Sequence, residues 1–266
     1  TDFNFSTYCI KNIIKKILIL TTQMDIGGAE LLDVDLFHEL NAQGYSVDIM
    51  SVYSKEHAYH EKTVRSSIPN IFFLGMKPSF SKYFFIWYSL KLAFLIYYKG
   101  YSVMLTSLTQ TNFLGATARL FSSCSHIIGV HYVFNNKYNN SIYERLMPLL
   151  FSEKKTFFYA VSEYAKDAWV EHAKISENRV NVVYNYIDKD KVLTNLSKNS
   201  QTLVNDIKIN SSTKIVVNIG RICSQKNQLL VVDALKHDLI DKNIVILFIG
   251  LVDYDVQGTK AMYQKI

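Results

Sequence analysis

The chain alternates between short unbroken apolar runs and longer segments whose apolar residues recur every three or four positions. Unbroken runs of four to eight apolar residues suit strands buried on both faces, and the longer period suits helices. KILILTT (16–22) is the first run. AELLDVDLFHELNAQ (29–43) carries helical spacing and stops at Gly44, a natural helix terminator. YSVDIMSV (45–52) and NIFFLG (70–75) are the next strands, and a helix around 82–98 ends at Gly100. YSVMLTS (101–107), SHIIGV (125–130), TFFYAVS (156–162) and NRVNVVYN (178–185) continue the strand series. TNFLGATARLF, NSIYERLMPLLF and YAKDAWVEHA are the helices between them.

Seven strands before residue 186, separated by helices, predict one doubly wound parallel sheet over 1–185 with helices on both faces. Residues 186–212 are polar, lack strand periodicity and read as a linker. A second Rossmann-like unit begins at 213 with KIVVNIG, the helix QLLVVDAL, the strand NIVILFIG and a last helix. Two strands fall short of the five or six of an ordinary doubly wound sheet. The expectation is therefore an incomplete second domain over 213–266, the front of a longer protein.

Composition narrows the class. Apolar residues make up 49% and charged residues 20%, enough to bury sizeable cores. Three well-separated cysteines form no CxxC pair, so neither a disulfide framework nor a zinc knuckle is indicated, and a reducing cytoplasmic setting fits. The apolar run at 16–22 is too short, and lacks the small-residue cleavage site, for a signal peptide. The net charge of +6 suits phosphorylated small molecules or an anionic membrane surface. No nucleic-acid motif accompanies it, and no nucleic-acid partner is expected. FSKYFFIWYSLKLAFLIYY (80–98) is almost long enough to cross a bilayer, but Lys91 would sit near its centre. A helix packed on the first sheet is the favoured reading; a helix lying on a membrane surface is the second.

The candidate chemistry lies where strands end. In open parallel sheets, ligands bind outside the carboxyl ends of the strands. MDIGGAE (24–30) places Gly27 and Gly28 between a strand and a helix start, where a backbone can approach an anion. His131 directly follows SHIIGV. GRICSQKN (220–227) puts Arg221 and Lys226 in a strand-to-helix loop, and guanidinium, ammonium and helix N-terminus together suit a diphosphate. Of three Asp-x-Asp pairs, Asp33/Asp35 lie within a helix and Asp188/Asp190 in a turn. Only Asp253/Asp255 follow a strand, as a metal pair would.

The order GGAE, a histidine after the fifth strand, AVSEYAKDAW, VVYNYID, GRICSQKN and LFIG resembles the retaining GT-B-fold glycosyltransferases of family 4. The resemblance runs over essentially the whole chain. It implies a GT-B-like α/β fold and a metal-independent, cofactor-free transfer of a sugar from a nucleotide-sugar donor to a cell-surface glycan or lipid-linked acceptor. It implies that Gly27 and Gly28 lie at the acceptor and diphosphate site and His131 near the transferred sugar. Arg221 and Lys226 would hold the diphosphate, and Ser162, Asn185 and Gly220 belong to the donor- or acceptor-binding set. Asn185-Tyr186 stands where the family has Asn-Gly, and Asn227 where it has the glycine after the lysine. The family's Glu-x7-Glu motif does not occur at the matching place in the second unit, so the chain by itself is expected to bind donor weakly or not to turn over. Two other readings stay open: a metal-dependent sugar-nucleotide enzyme using Asp253 and Asp255, and a non-catalytic module of the same fold.

Overall fold

A computed structural model of the chain describes residues 16–24, 28–54, 71–77, 85–130, 149–151, 155–185, 212–237, 242–252 and 259–264, with Lys189 and Leu193. The chain divides into two compact units, Thr1–Tyr186 and Ile187–Ile266.

The first unit is built on seven parallel strands: β1 (Ile17–Thr21), β2 (Val47–Tyr53), β3 (Ile71–Met76), β4 (Val103–Thr106), β5 (Ser125–Val130), β6 (Thr156–Ala160) and β7 (Val180–Val182). Their order across the sheet is β3-β2-β1-β4-β5-β6-β7. Among the described residues four helices accompany them: α1 (Gly28–Ala42), α2 (Phe85–Lys99), α3 (Thr109–Arg119) and α4 (Glu163–Ala173). The doubly wound α/β class expected from the apolar runs is the fold observed. Of the helix read over 140–151, only residues 149–151 fall among the described residues, Leu149 and Leu150 being helical.

The alternation within β1 explains why it is apolar from Ile17 to Leu20. Ile17 and Ile19 pack with Val34 of α1, Val47, Ile49 and Val103 on one face. Leu18 and Leu20 point the other way, into a core with Leu92 and Ile96 of α2 and Leu114 and Ala118 of α3. Successive side chains point to opposite faces, so a strand covered on both sides is apolar on both. A third core lies under α4. There Trp169, fully buried, sits 5.5 Å from the Phe151 ring and 6.3 Å from Phe158, centroid to centroid.

One linked set of polar side chains is admitted to this interior. Asn112 of α3 donates from Nδ2 to the carbonyl of Gly129 (3.2 Å), which fixes its amide. Its Oδ1 then accepts from Thr106 Oγ1 at 2.6 Å. That uses the only hydroxyl proton of Thr106, so His126 Nε2, 2.8 Å away, must be the donor. His126 is fully buried, and burial, followed by the charge of Arg119, pushes its pKa down from 6.5 to about 3. It is therefore a neutral Nε2–H imidazole holding α3 to β4 and β5. The ring fits only because residue 115 is glycine: a Cβ there would lie 2.8 Å from His126 Nε2 and 3.0 Å from Met104 Cε.

Along the amino edge of the sheet, Lys16 Nζ and the Tyr101 hydroxyl both reach Asp48 Oδ2, at 2.8 and 2.6 Å. The ammonium also lies 4.9 Å above the Tyr101 ring. Burial, and then the Asp48 carboxylate, hold the Tyr101 phenol well above its ordinary pKa, so it stays a donor.

The second unit contains β8 (Lys214–Ile219), α5 (Gln228–Leu235), β9 (Ile244–Ile249) and α6 (Thr259–Tyr263). β8 and β9 form a parallel pair in continuous register from Lys214↔Ile244 to Ile219↔Ile249. Ile215, Val217 and Ile219 of β8 are substantially exposed.

Gly115→Ala tests the polar seat of α3. Alanine gains roughly 1 kcal/mol of helix propensity, but overpacking a tight core costs about 1–3 kcal/mol. The clash involves a ring and a methyl that are both enclosed, so the net expectation is a loss of about 1–2 kcal/mol. The change is read as a lower urea midpoint with unchanged slope.

Candidate functional site

The strand order reverses between β1 and β4, the two neighbours that leave the sheet centre in opposite directions. The crevice of such a sheet opens at the carboxyl ends of that pair. Two segments flank it: Thr21 to Met24, and Ser107 with Leu108 leading into α3. Leu108 has no side chain that can cap a helix. Thr111 serves instead, accepting from the Leu108 N–H at 3.1 Å and donating to its carbonyl at 2.8 Å. Ser51 Oγ donates to the Thr22 carbonyl at 3.2 Å, and the Tyr53 hydroxyl donates to Gln110 Oε1 at 2.9 Å. The ends of β1 and β2 and the start of α3 are thereby tied at this edge.

Within this edge sits a buried carboxylate that sequence reading set aside. Asp33 lies on α1, 6% exposed, and Ser107 Oγ lies 3.2 Å from each of its oxygens. Burial raises its pKa from 3.8 to about 7; the Ser107 and Thr21 hydroxyls oppose the rise, and the charge of Glu30 adds to it. Its field reaches β6: burial, then the charge of Asp33, raise the Tyr159 phenol well above its usual pKa. Asp33 is enclosed, so its part is to fix α1 against the end of β4 rather than to touch a ligand. The helical spacing of 29–43 would have turned position 33 inward, and that was the available signal.

The expected site residues of the first unit fall as follows. Gly28 is the first residue of α1 and is exposed. A Cβ there would meet no atom within 4 Å, so nothing inside the described protein demands glycine. Ser162 is the N-cap of α4, its Oγ accepting from the Ala165 N–H at 3.1 Å. Asn185 is exposed three residues beyond β7. Gly27 and His131 lie outside the described residues, although β5 ends at Val130, immediately before the histidine.

The second unit carries its own candidate segment, the loop after β8. Gly220 (φ 150°) ends the strand, and its N–H donates to the Ile249 carbonyl at 2.9 Å. Ile222 N–H donates to Leu251 O at 2.8 Å, extending the pairing with β9 past the strands proper. This close passage requires Gly250: a Cβ there would lie 1.9 Å from the Gly220 carbonyl oxygen. A 3-10 turn, Ser224–Lys226, follows, and α5 begins two residues after Lys226. Gln228, fully buried, locks the turn. Its Nε2 donates to the Arg221 carbonyl at 2.9 Å and its Oε1 faces the Cys223 N–H at 3.4 Å. Gln228 was not singled out by sequence, where it is one polar residue opening an apolar helix.

Arg221 and Lys226 are thus carried on a tied backbone with both side chains exposed. Asn227 explains its own departure from glycine. It adopts φ 52°, ψ 45°, the left-handed region that glycine enters freely and that asparagine tolerates better than other side chains. Among the described residues, no group of three or more His, Cys, Asp or Glu side chains could hold a metal ion. Asp253 and Asp255 lie outside the described residues.

Two measurements test these local accounts. Asp33 holds a proton in the folded state up to about pH 7 but in the unfolded chain only to about pH 4. Its contribution is therefore present at low pH and lost as pH rises through that window. His126, depressed to about 3 against an ordinary 6.5, has the opposite slope. The stability difference between Asp33→Asn and the parent cancels the histidine. It should move by about 2–3 kcal/mol in favour of Asn from pH 5 to 8, read by urea unfolding. At position 227, glycine should be neutral within about 0.5 kcal/mol, while valine costs about 1–3 kcal/mol. Faster amide exchange over 221–228 in the valine variant is the readout.

The chain's relatives follow from this architecture. The family model for Glycosyltransferase Family 4 matches residues 26–191. No curated protein matches the chain by sequence. Among solved structures, a glycosyltransferase from Rickettsia africae superimposes with a TM-score of 0.63 at 18% identity, over 95% of this chain and 64% of that one. HepE of Anabaena, solved with UDP and glucose, gives 0.68 at 16% identity over 95% and 66%. The lipopolysaccharide outer core galactosyltransferase WaaB gives 0.56 at 13% over 95% and 65%. The chain thus spans just under two thirds of the length of each. At such identities the structural likeness shows the GT-B fold alone. The family match, which covers more than half of the chain, does more: the chain belongs to Glycosyltransferase Family 4.

Proposed function

We propose that the protein moves a sugar from a nucleotide-sugar donor to a cell-surface glycan or lipid-linked acceptor, with retention at the anomeric carbon and without a metal or other cofactor. The observation that carries this reading is the tied loop 220–228, which offers a guanidinium and an ammonium at the carboxyl end of a parallel strand pair. A nucleoside diphosphate is the leaving group that such a pair suits. Binding of UDP and glucose by HepE supports a nucleotide-sugar donor, and the galactosyltransferase relative supports a surface-glycan acceptor. We assign the reaction to the cytoplasm, where buried thiols such as Cys124 and Cys223 persist in reduced form.

The chemistry follows from where charge develops. Glycosyl transfer passes through an oxocarbenium-like state. As the bond from the anomeric carbon to phosphate breaks, its electron pair moves onto the diphosphate. A cation held in place beforehand stabilises that growing charge more than it stabilises the bound donor. Arg221 can engage two phosphate oxygens through its planar fork, and Lys226 adds a compact charge. In this reading Gly28 lets the backbone at the start of α1 approach the acceptor side, and His131 attends the transferred sugar.

The test is transfer kinetics at saturating donor, measured on the full reading frame that contains this chain. Arg221→Ala should lower turnover roughly 10²–10³-fold, more than it weakens donor binding. Arg221→Lys should recover part of the loss, and Lys226→Ala should act in the same direction but more weakly. Rates should be indifferent to EDTA. Near-normal turnover in Arg221→Ala would remove the diphosphate role. Loss of activity in EDTA would favour a metal-dependent sugar-nucleotide enzyme, and absence of any transfer a non-catalytic module.

A further inference from the structure

α2 breaks the rule that a helix on a sheet turns a polar face to water. Its inner face is ordinary: Ser89, Leu92, Ala93 and Ile96 are buried against the sheet. Its outer face carries Ile86 (53% exposed), Trp87 (62%), Leu90 (42%), Phe94 (63%), Tyr97 (84%) and Tyr98 (74%). At 100° per residue these six fall within one arc of about 120°. With roughly 150–250 Å² per aromatic side chain, they expose on the order of 700 Å², above the ~300–600 Å² of the largest patch on a typical monomer. The helix's lysines do not dilute this face. Lys91 Nζ donates to the Leu74 carbonyl at 2.7 Å, and Lys99 Nζ lies 3.8 Å over the Phe72 ring, so both are drawn toward β3.

Charge indicates what covers the face. From Lys62 to Ile142 and Tyr143 the sequence holds no aspartate or glutamate, while Lys62, Arg65, Lys77, Lys82, Lys91, Lys99, Arg119 and Lys137 fall in that span. This one segment exceeds the whole chain's net charge of +6, so the remainder is net acidic. Among the described residues, the carboxylate linked to this core through Tyr101 is Asp48, and Lys16 is its ion partner. An exposed aromatic face carried on an acid-free, basic stretch of sequence matches a surface that is anionic at its headgroups and apolar just beneath. No described helix is long and apolar enough to cross a membrane.

We propose that the outer face of α2 docks the protein onto an anionic lipid bilayer, with Trp87, Phe94 and Tyr97 entering the headgroup boundary. Docking stands apart from the transfer reaction and is measured without donor or acceptor.

The chain has only two tryptophans, and the other, Trp169, is fully buried, so a change in indole emission on lipid addition reports Trp87. The protein is mixed with phosphatidylcholine vesicles made with and without phosphatidylglycerol. The expected result is a blue shift and co-sedimentation with the phosphatidylglycerol vesicles, both weakened by added salt. Trp87→Phe should keep sedimentation and lose the shift. Trp87→Ser combined with Phe94→Ser should lower vesicle binding by roughly tenfold or more while leaving the far-ultraviolet spectrum unchanged. Emission that does not move with either vesicle overturns the proposal, as does equal binding to neutral and anionic vesicles. A shift that grows with protein concentration in the absence of lipid also overturns it and assigns the face to a second copy of the chain.

Discussion

The first unit depends on one hydrogen-bond chain that must be neutral. Gly129 O, Asn112, Thr106 and His126 each use a donor or acceptor whose sense is forced by the one before. Breaking any one leaves a buried polar atom unmatched, which costs more than the bond itself contributes. The chain also fixes α3 in depth and rotation, because the His126 ring occupies the place of the missing Cβ at 115. α3 begins just after Ser107, so the same chain sets where the crevice wall stands. The imidazole Nδ1 finds no partner among the described residues, so the arrangement tolerates one unmet acceptor to keep the ring uncharged.

The crevice edge is polar where the rest of β1 and β4 is apolar, and the change comes within a residue or two. Thr21 and Thr106 are the last residues of their strands, and Ser107 follows directly. The three hydroxyls let a fully apolar strand pair end in hydrogen bonds rather than in exposed carbonyls. Asp33 is accepted in this place because Ser107 meets both its oxygens and because it can take up a proton near neutrality instead of staying charged. A carboxyl that can take up a proton is a milder occupant of a closed seam than a permanent ion would be.

The fold was legible because strands buried on two faces must be apolar at every position, and ILIL of β1 and SHIIGV of β5 advertise that plainly. His126 is the exception within SHIIGV, and no pattern rule shows that its ring would be accommodated by a glycine eleven residues earlier. The positions of Arg221 and Lys226 were legible for a similar reason: a strand end, a glycine and a helix start bracket them. What holds them was not. Gln228 acts through two backbone groups, at Arg221 and Cys223, that carry no side-chain signature. Ser162 reads as part of a binding motif, and in the fold its oxygen caps α4. Asn227 could be seen as a departure from glycine but not interpreted until its backbone angles placed it in the left-handed region.

Stiffness in the backbone beneath exposed cations is itself an argument about mechanism. A flexible loop bearing the same charges would gain its contacts only by ordering on the ligand, and the entropy lost would be charged against binding. Here the ordering is present before any ligand. Gly250 lets β9 run within contact of Gly220, the pairing continues through Ile222 and Val252, and Gln228 closes the turn from beneath. The backbone that carries Arg221 and Lys226 is thereby set in advance. Interaction with an anion can then be concentrated on the stage at which its charge is greatest, the condition under which a fixed dipole or cation accelerates a reaction rather than merely tightening its ground state.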